Sequence, residues 1–404
     1  MSKPTVLIGF AEAIAAPEVA WSLFDDGFRV VAFARRGKAS GLRYSRHVEY
    51  REICSPESDV QESQSNLRGL MASLDGEIGD AERILFPLDD TSVWLCSQAS
   101  ADSTWHLAGP SNRLADLALN KEVQTNAARE SGFNVPKTVV IRTANEVINL
   151  PDLERFPIVL KPVECVPLGK GRVQKCKIWT CADSRELDQA SAEWGERVPL
   201  LAQEFIKGNG EGIFGFATPR GVQAWSAHRR LRMMNPQGSG SSACISEVVD
   251  PEIKARAEKL ISTTGWSGLF MIELLRDHAG VPWFIEFNGR PWGSMALSRR
   301  QGLEYPAWQV RLALGQEPQA EKQSAVTPGV VCRHAGRELM HLLFVLRGPR
   351  TRAMSNWPSF WKTLAKVLPF RGKDTLYNWR REDLKVFFAD FYFTLRNNLV
   401  KSEN

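Results

Sequence analysis

The chain has 404 residues, 43% of them hydrophobic and 24% charged, which suffices for substantial cores in two or three domains. Seven cysteines without a CxxC spacing and six histidines in no ligand pattern argue against a disulfide framework or a zinc site, so reduced thiols and a cytoplasmic location are expected. No run approaches the about 20 apolar residues of a membrane span, and the segment after Met1 lacks the plan of a signal peptide. The net charge of +5 is segregated: residues 331–404 carry 14 Lys/Arg against 6 Asp/Glu, net +8, and the remainder 37 against 40, net −3.

The N-terminal part alternates strands and helices. "PTVLIGF" is a buried-type strand, Pro17 to Asp26 fit a helix, "FRVVAFAR" is the next strand, and "RILFPLDD" is a later one ending in Asp89 and Asp90. This order predicts an α/β domain with a parallel sheet. "GFAEAIAAPEVA" after the first strand lacks G-x-G-x-x-G, which excludes a dinucleotide site. Acids at the carboxyl end of a parallel strand sit where such sheets bind ligands, so Asp89 or Asp90 could hold a substrate ammonium; capping of the next helix is the other reading. Asn112 to Arg129 then predict one helix with Lys121 in its middle, stopped by Gly132 and Pro136. "RFPIVLKPVECVPLGKGRV" puts Lys161 at the end of a β-branched strand, ahead of a loop with Gly169, Lys170 and Gly171 whose N–H groups can lie over phosphates.

Further on, "GLFMIELLRD" and "VPWFIEFNGRPWGS" flank the turn signal "DHAG" and predict a hairpin. Alternate strand residues share a face, so Glu286, Asn288 and Arg290 form one row. A turn centred between Ala279 and Gly280 sets Glu273 opposite Glu286. Like charges directly opposed destabilise a sheet unless something positive lies between them, and a hard cation such as Mg²⁺ suits two carboxylates. The plainer alternative is an exposed edge hairpin with two solvated acids, against which the apolar flanks argue.

Taken in order, Lys121, Lys161-Pro162, the glycine-containing loop, "LLAQEFIKGNGEG", "SAHRRLRMMNPQGSG", Glu273 and "EFNGRPWGS" resemble the ATP-grasp enzymes, especially carboxylate-amine ligases related to the large subunit of carbamoyl-phosphate synthetase. The resemblance spans roughly residues 1–315. It implies a pre-ATP-grasp α/β domain (1–110), an ATP-grasp domain (111–315) of two α+β subdomains clamping ATP with a lid at about 138–205, and a mainly helical, basic and aromatic extension (316–404). On matching positions it implies that Lys121 and Lys161 hold the ATP phosphates and that Glu204, Phe205 and Ile206 form the hinge that reads adenine. Glu211 would take the ribose hydroxyls, and Glu273, Glu286 and Asn288 the Mg²⁺, two ions with Mn²⁺ as a substitute. Arg290 and one of Arg229, Arg230 or Arg232, with Arg230 favoured, would hold the substrate carboxylate and acyl phosphate. Two features depart from the family pattern: the loop has fewer glycines than many relatives, and Asn120 precedes Lys121 where Asp is common.

The implied activity is ligation: ATP converts a carboxylate to an acyl phosphate, and an amine displaces the phosphate to form an amide or peptide bond. Alternatives are a kinase-like or carboxylating ATP-grasp enzyme and a nucleotide-binding scaffold. Expected partners are small-molecule or carrier-linked acids and amines, and no nucleic acid. For the tail, Leu384, Phe387, Phe388, Phe391, Leu395 and Leu399 fall largely on one helical face, with Trp357, Trp361 and Trp379 among Lys and Arg upstream. Two readings follow, peripheral contact with an anionic membrane or packing on the ATP-grasp domain or in a homodimer interface.

Overall fold

The computed structural model describes residues 3–148, 156–236, 240–318, 326–349, 357–370, 372 and 374–400. The first region is built from β1 (Thr5–Gly9), α1 (Ala16–Asp25), β2 (Arg29–Arg35), β3 (Val48–Ile53), α2 (Val60–Ile78), β4 (Arg83–Pro87), α3 (Asp90–Ser100) and β5 (His106–Leu107). Its five strands are parallel in the order β3-β2-β1-β4-β5. Strand alternation feeds two cores: Val6, Ile8, Val30 and Ala32 on one face, and Leu7, Val31 and Phe33 on the other, where Leu67, Met71 and Leu74 of α2 close over them. The first face continues into Phe214, Met271, Trp292 and Tyr305, so this sheet is fused to the rest of the molecule by apolar contact.

Two helices follow where one is expected, α4 (Asn112–Leu119) and α5 (Lys121–Glu130). Asn120 breaks the run with extended backbone (φ −115°, ψ 113°), and its side-chain oxygen accepts from the N–H groups of Glu122 and Val123. Asn is a strong cap and a weak mid-helix residue, so the break overrides the helical periodicity. Lys121 is therefore the first residue of α5.

The next segment comprises β6 (Thr138–Ile141), α6 (Ala144–Ile148), β7 (Ile158–Pro162), β8 (Leu168–Gly169), β9 (Arg172–Val173), β10 (Trp179–Cys181), α7 (Ser184–Trp194) and β11 (Leu200–Glu204). It carries a four-stranded sheet, β10-β7-β11-β6, with a core of its own around Ile158, Leu160, Leu187 and Leu200. Of the stretch expected to form the lid, residues 149–155 lie outside the described residues. The expected phosphate loop is the β8–β9 hairpin, turned at Lys170 (φ 52°) and Gly171 (φ 73°), the paired positive φ values of a type I′ turn.

A seven-stranded sheet completes the molecule. It is formed by β12 (Gly208–Thr218), β13 (Gly221–Met233), β14 (Ser241–Glu247), α8 (Pro251–Thr264) as cover, β15 (Gly268–Asp277), β16 (Pro282–Asn288), α9 (Met295–Arg299), α10 (Tyr305–Ala313), β17 (Val331–Arg333), α11 (Ala335–Arg347), α12 (Phe360–Val367), β18 (Asp374–Leu376) and α13 (Leu384–Val400). Strand order is β16-β15-β12-β13-β14-β17-β18. The C-terminal extension thus continues the sheet through β17 and β18. In "SAHRRLRMMNPQGSG", residues 237–239 lie outside the described residues.

The aromatic stripe of α13 is only partly covered by the protein. Phe388 and Leu399 are 62% and 48% exposed, and the other stripe residues are half-buried. The inward face carries Val386, Asp390 and Thr394 instead. Gly41 lets this helix come close, since a Cβ there would lie 3.0 Å from the Val386 carbonyl oxygen.

Candidate active site

The hairpin β15–β16 pairs Glu273 with Glu286 and Met271 with Asn288 as expected, but not through the turn alone: beside the turn Arg276 pairs with Pro282 and Leu274 with Phe284, one residue out of that register, and a bulge between Glu273 and Leu274 restores it. Glu273, Glu286 and Asn288 therefore share a face. Together with His228, Arg230, Arg290, Trp292, Arg337 and Tyr377 they line a cavity of about 160 Å³. The carboxylates are not left facing each other unaided. Arg230 Nη2 lies 2.8 Å from Glu273 Oε1, and Lys121 Nζ lies 3.5 Å from Glu286 Oε1. Arg230 has room because β12 offers glycine beside it: a Cβ at Gly210 would stand 2.6 Å from Arg230 Cδ.

Arg290 makes a two-pronged contact with Asp90, at 2.8 and 3.1 Å. Burial would push the Asp90 carboxyl up, but the Arg290 guanidinium outweighs it and holds the group below the usual carboxylate range. Asp89 caps α3 through the Ser92 N–H and also meets Arg35 Nη1 at 3.0 Å. Both acids are thus occupied within the protein.

Lys161 is 7% exposed and makes no ion pair within 4 Å among the described residues. Burial lowers its pKa, with Glu286 opposing and Lys121 reinforcing the shift. A buried ammonium of this kind is one that an anionic ligand would relieve. Lys121 also donates to Cys165 Sγ at 2.9 Å. Burial pushes that thiol up to about 12, so it stays protonated.

The three arginines of β13 separate cleanly. Arg229 pairs with Glu247 at 3.1 Å near the surface. Arg232 is clasped by the buried Glu338, which also accepts from Arg333 and Ser242. Arg230 alone of the three lines the cavity.

Glu211 is where expectation and geometry part. It pairs with Leu274, the neighbour of Glu273, and strand alternation turns it to the opposite face of the sheet. There both its oxygens accept from Arg276 Nε at 2.9 Å, in a separate cavity with Asp250 and Arg229. The structure does not bring Glu211 to the group around Glu273. The three-residue connection after β11 holds Phe205 and Ile206, while Glu204 ends the strand. The Glu204 N–H donates to the Lys137 carbonyl (2.9 Å) and the Phe205 N–H to that of Pro157 (3.2 Å).

Sequence reasoning missed His228, Trp292, Arg337 and Tyr377. His228 sits two residues before Arg230 and Trp292 two after Arg290, so the alternation that set Arg290 in its row could have found them. Among the described residues, His228 Nε2 and Trp292 Nε1 are buried without a hydrogen-bond partner. Burial pushes the His228 imidazole down to about 3, so it is neutral.

No protein-family model matches the chain, and no curated protein does. Solved structures do. An L-amino acid ligase from Bacillus licheniformis is 18% identical with a TM-score of 0.62, over 82% of this chain and 79% of that one. The biotin carboxylase domain dimer of Hydrogenobacter thermophilus 2-oxoglutarate carboxylase, solved with MgADP, ADP and bicarbonate, is 16% identical (TM-score 0.60, 82% and 74% covered). N5-carboxyaminoimidazole synthetase from Staphylococcus aureus is 12% identical (TM-score 0.56, 79% and 78% covered). The chain has the ATP-grasp fold.

The fold implies Mg²⁺, and the donor set fits one. Glu273, Glu286 and Asn288 offer hard oxygens on one face, and no third Asp, Glu, His or Cys joins them among the described residues. That suits an ion which takes one or two carboxylates and completes its shell with phosphates and water.

Proposed function

We propose that this protein is an ATP-dependent ligase that activates a carboxylate as an acyl phosphate and couples it to an amine, releasing ADP and phosphate. The observation carrying this reading is the cavity in which Glu273, Glu286 and Asn288 meet Arg230 and Arg290. Carboxylates for a metal and guanidiniums for an anion stand in one small enclosure, as transfer of a phosphoryl group between anions requires.

In this reading Lys121 and Lys161 hold the ATP phosphates, the 204–206 connection receives the adenine, and Glu273, Glu286 and Asn288 hold Mg²⁺. The metal neutralises phosphate charge. Arg290, fixed by Asp90, and Arg230 orient the substrate carboxylate for attack on the γ-phosphorus, whose bond to the ADP oxygen breaks. The segment carrying β6–β11 covers the nucleotide and excludes water, which protects the acyl phosphate. The MgADP of the carboxylase neighbour supports the choice of nucleotide and metal. Glu211 has no part in this scheme.

The test is ADP release by the full chain with pooled acids and amines, and hydroxylamine as a trap. Release that needs both substrates, with hydroxamate in place of amide, supports ligation. Release with acid alone indicates the kinase-like reading, release with bicarbonate a carboxylating enzyme, and nucleotide binding without turnover a scaffold.

The outer face of the extension supports a further part of the reading. Trp361, Leu368 and Phe370 are 75%, 71% and 58% exposed beside the net +8 of residues 331–404. Rings at headgroup depth with cations around them suit an anionic lipid surface. Flotation with phosphatidylserine but not phosphatidylcholine vesicles, reversed by salt, supports this; a salt-resistant homodimer that covers the same residues refutes it.

A further inference from the structure

A second cavity, of about 260 Å³, adjoins the first. Its walls are the β1–α1 loop with Glu12, the start of α11 with His334 and Arg337, and the inward face of α13 with Asp390 and Thr394. Arg337 lines both cavities. At this volume the space is at the small end for ligand pockets, which run roughly 300–1,000 Å³.

Its charges are arranged in two poles. Arg337 donates to the Ser241 carbonyl oxygen at 3.1 Å and has no carboxylate within 4 Å among the described residues. It is a partly buried guanidinium without an anion, at the mouth toward Arg230 and Glu273. The other pole is acidic. Glu12 accepts from the Arg35 N–H through Oε1 at 3.0 Å, while its Oε2 is buried with no hydrogen-bond partner. Asp390 accepts from His334 Nε2 (3.1 Å) and from Asn378 (3.2 Å), and the His334 Nδ1 accepts the Arg337 N–H, which fixes the histidine tautomer. Beside the ring of Phe393, α13 turns Asp390, Thr394, Asn397 and Asn398 to the cavity, and a polar ligand gives that polar lining a reason.

We propose that this second cavity is the subsite for the carboxylate substrate and that this substrate is a small amino acid. Its carboxylate lies at the junction between Arg337 and the Arg230 and Arg290 of the first cavity, and its ammonium lies against Glu12 and Asp390. The proposal rests on the ligase reading and deepens it. It also explains selectivity within the reaction: an ammonium held by two carboxylates stays protonated, so the donor's own amine does not attack the acyl phosphate. Arg337 and Glu12 are then specificity-determining residues contributed from opposite ends of the chain.

Thermal shift on the full chain tests this, with MgADP present and three probe mixtures. One holds D- and L-α-, β- and ω-amino acids of up to six carbons, one their carboxamides, one their N-acetyl forms. Free amino acids are expected to raise Tm and the two blocked sets to leave it unchanged. Arg337→Ala and Glu12→Gln should each weaken amino-acid binding at least tenfold while keeping the MgADP shift. Arg337→Lys, which retains the charge, serves if the alanine variant does not fold and should show partial binding. No shift from free amino acids, equal shifts from a blocked set, or wild-type binding by Arg337→Ala or Arg337→Lys overturns the proposal. Loss of the MgADP shift in the parent instead overturns the ligase reading.

Discussion

The Glu273–Glu286 pair and Glu338 are both carboxylate sites served by arginine or lysine, yet they are built differently. Glu338 is 4% exposed and accepts from Arg232, Arg333 and Ser242, with its partners' side chains 15% exposed or less. Glu273 and Glu286 are 22% and 26% exposed at the side chain, and each has a single cation within 4 Å among the described residues. Glu338 is saturated and sealed, so its charge is committed to joining β13, β14 and β17 to α11. The hairpin acids are open to a cavity and under-served, so their charge remains available to a ligand. Exposure and the number of partners, rather than residue type, distinguish the structural acid from the candidate functional ones.

Glu338→Gln tests the sealed side and should have the largest effect. Two arginines would lose their buried anion, at a cost of about 3–5 kcal/mol in chemical denaturation. A loss under about 1 kcal/mol would remove the distinction. Glu286→Gln tests the open side and should do the reverse. We expect turnover to fall by about 100-fold or more, with a melting temperature without nucleotide close to that of the parent, since relief of the repulsion from Glu273 offsets the anion that Lys121 loses. Near-parental kinetics would remove Glu286 from the reaction.

The same contrast explains what could be read from the sequence. The Asn288–Arg290 row follows from period-2 alternation, the hairpin from its turn signal and the N-terminal strands from short apolar runs, all of them local, whereas the bulge beside Glu273 that sets it opposite Glu286 left no mark in the sequence. The face of Glu211 was not legible, because its likeness to a family motif carries no information about which side of β12 it occupies; its parity relative to Glu273 depends on the β12–β15 register. Arg337 and Tyr377 were invisible because β17 and β18 join the sheet through contacts far apart in the chain. The break at Asn120 was legible in principle, since Asn is a cap former in a run that otherwise scans as helix.

Glu12 sharpens the comparison from a third position, an acid that is buried and only half-satisfied. Burial pushes it up to about 7, against Arg35 and with Asp89 reinforcing the rise, and Tyr50 also stands near it. The native state therefore binds a proton that the unfolded chain, with a carboxyl near 4.5, has lost. Stability contributed by this group falls as pH rises from about 4.5 to about 7 and is constant above. Glu12→Gln should flatten that part of the stability–pH curve and leave the variant more stable than the parent at pH 8. A parallel curve would mean that Glu12 titrates normally.

The smallest effect concerns Asn120, which is half-buried and whose two side-chain atoms do different work. Its oxygen caps α5, and its nitrogen donates to Glu164 Oε1 at 2.6 Å. Burial raises the Glu164 carboxyl, and the Asn120 hydrogen bond opposes that rise. An Asp here would keep the cap but set a second negative charge against Glu164, which gives a physical reason for the amide at this position. Asn120→Ala should lose about 1 kcal/mol, the usual cost of a cap. Asn120→Asp should lose a similar or smaller amount through repulsion. Salt separates the two: about 1 M NaCl screens the Asp–Glu contact and should restore most of the Asp variant's stability while leaving the Ala variant's deficit in place. Equal salt responses would show that the Glu164 contact has no part in the choice of Asn, and that capping alone fixes Lys121 at the head of α5.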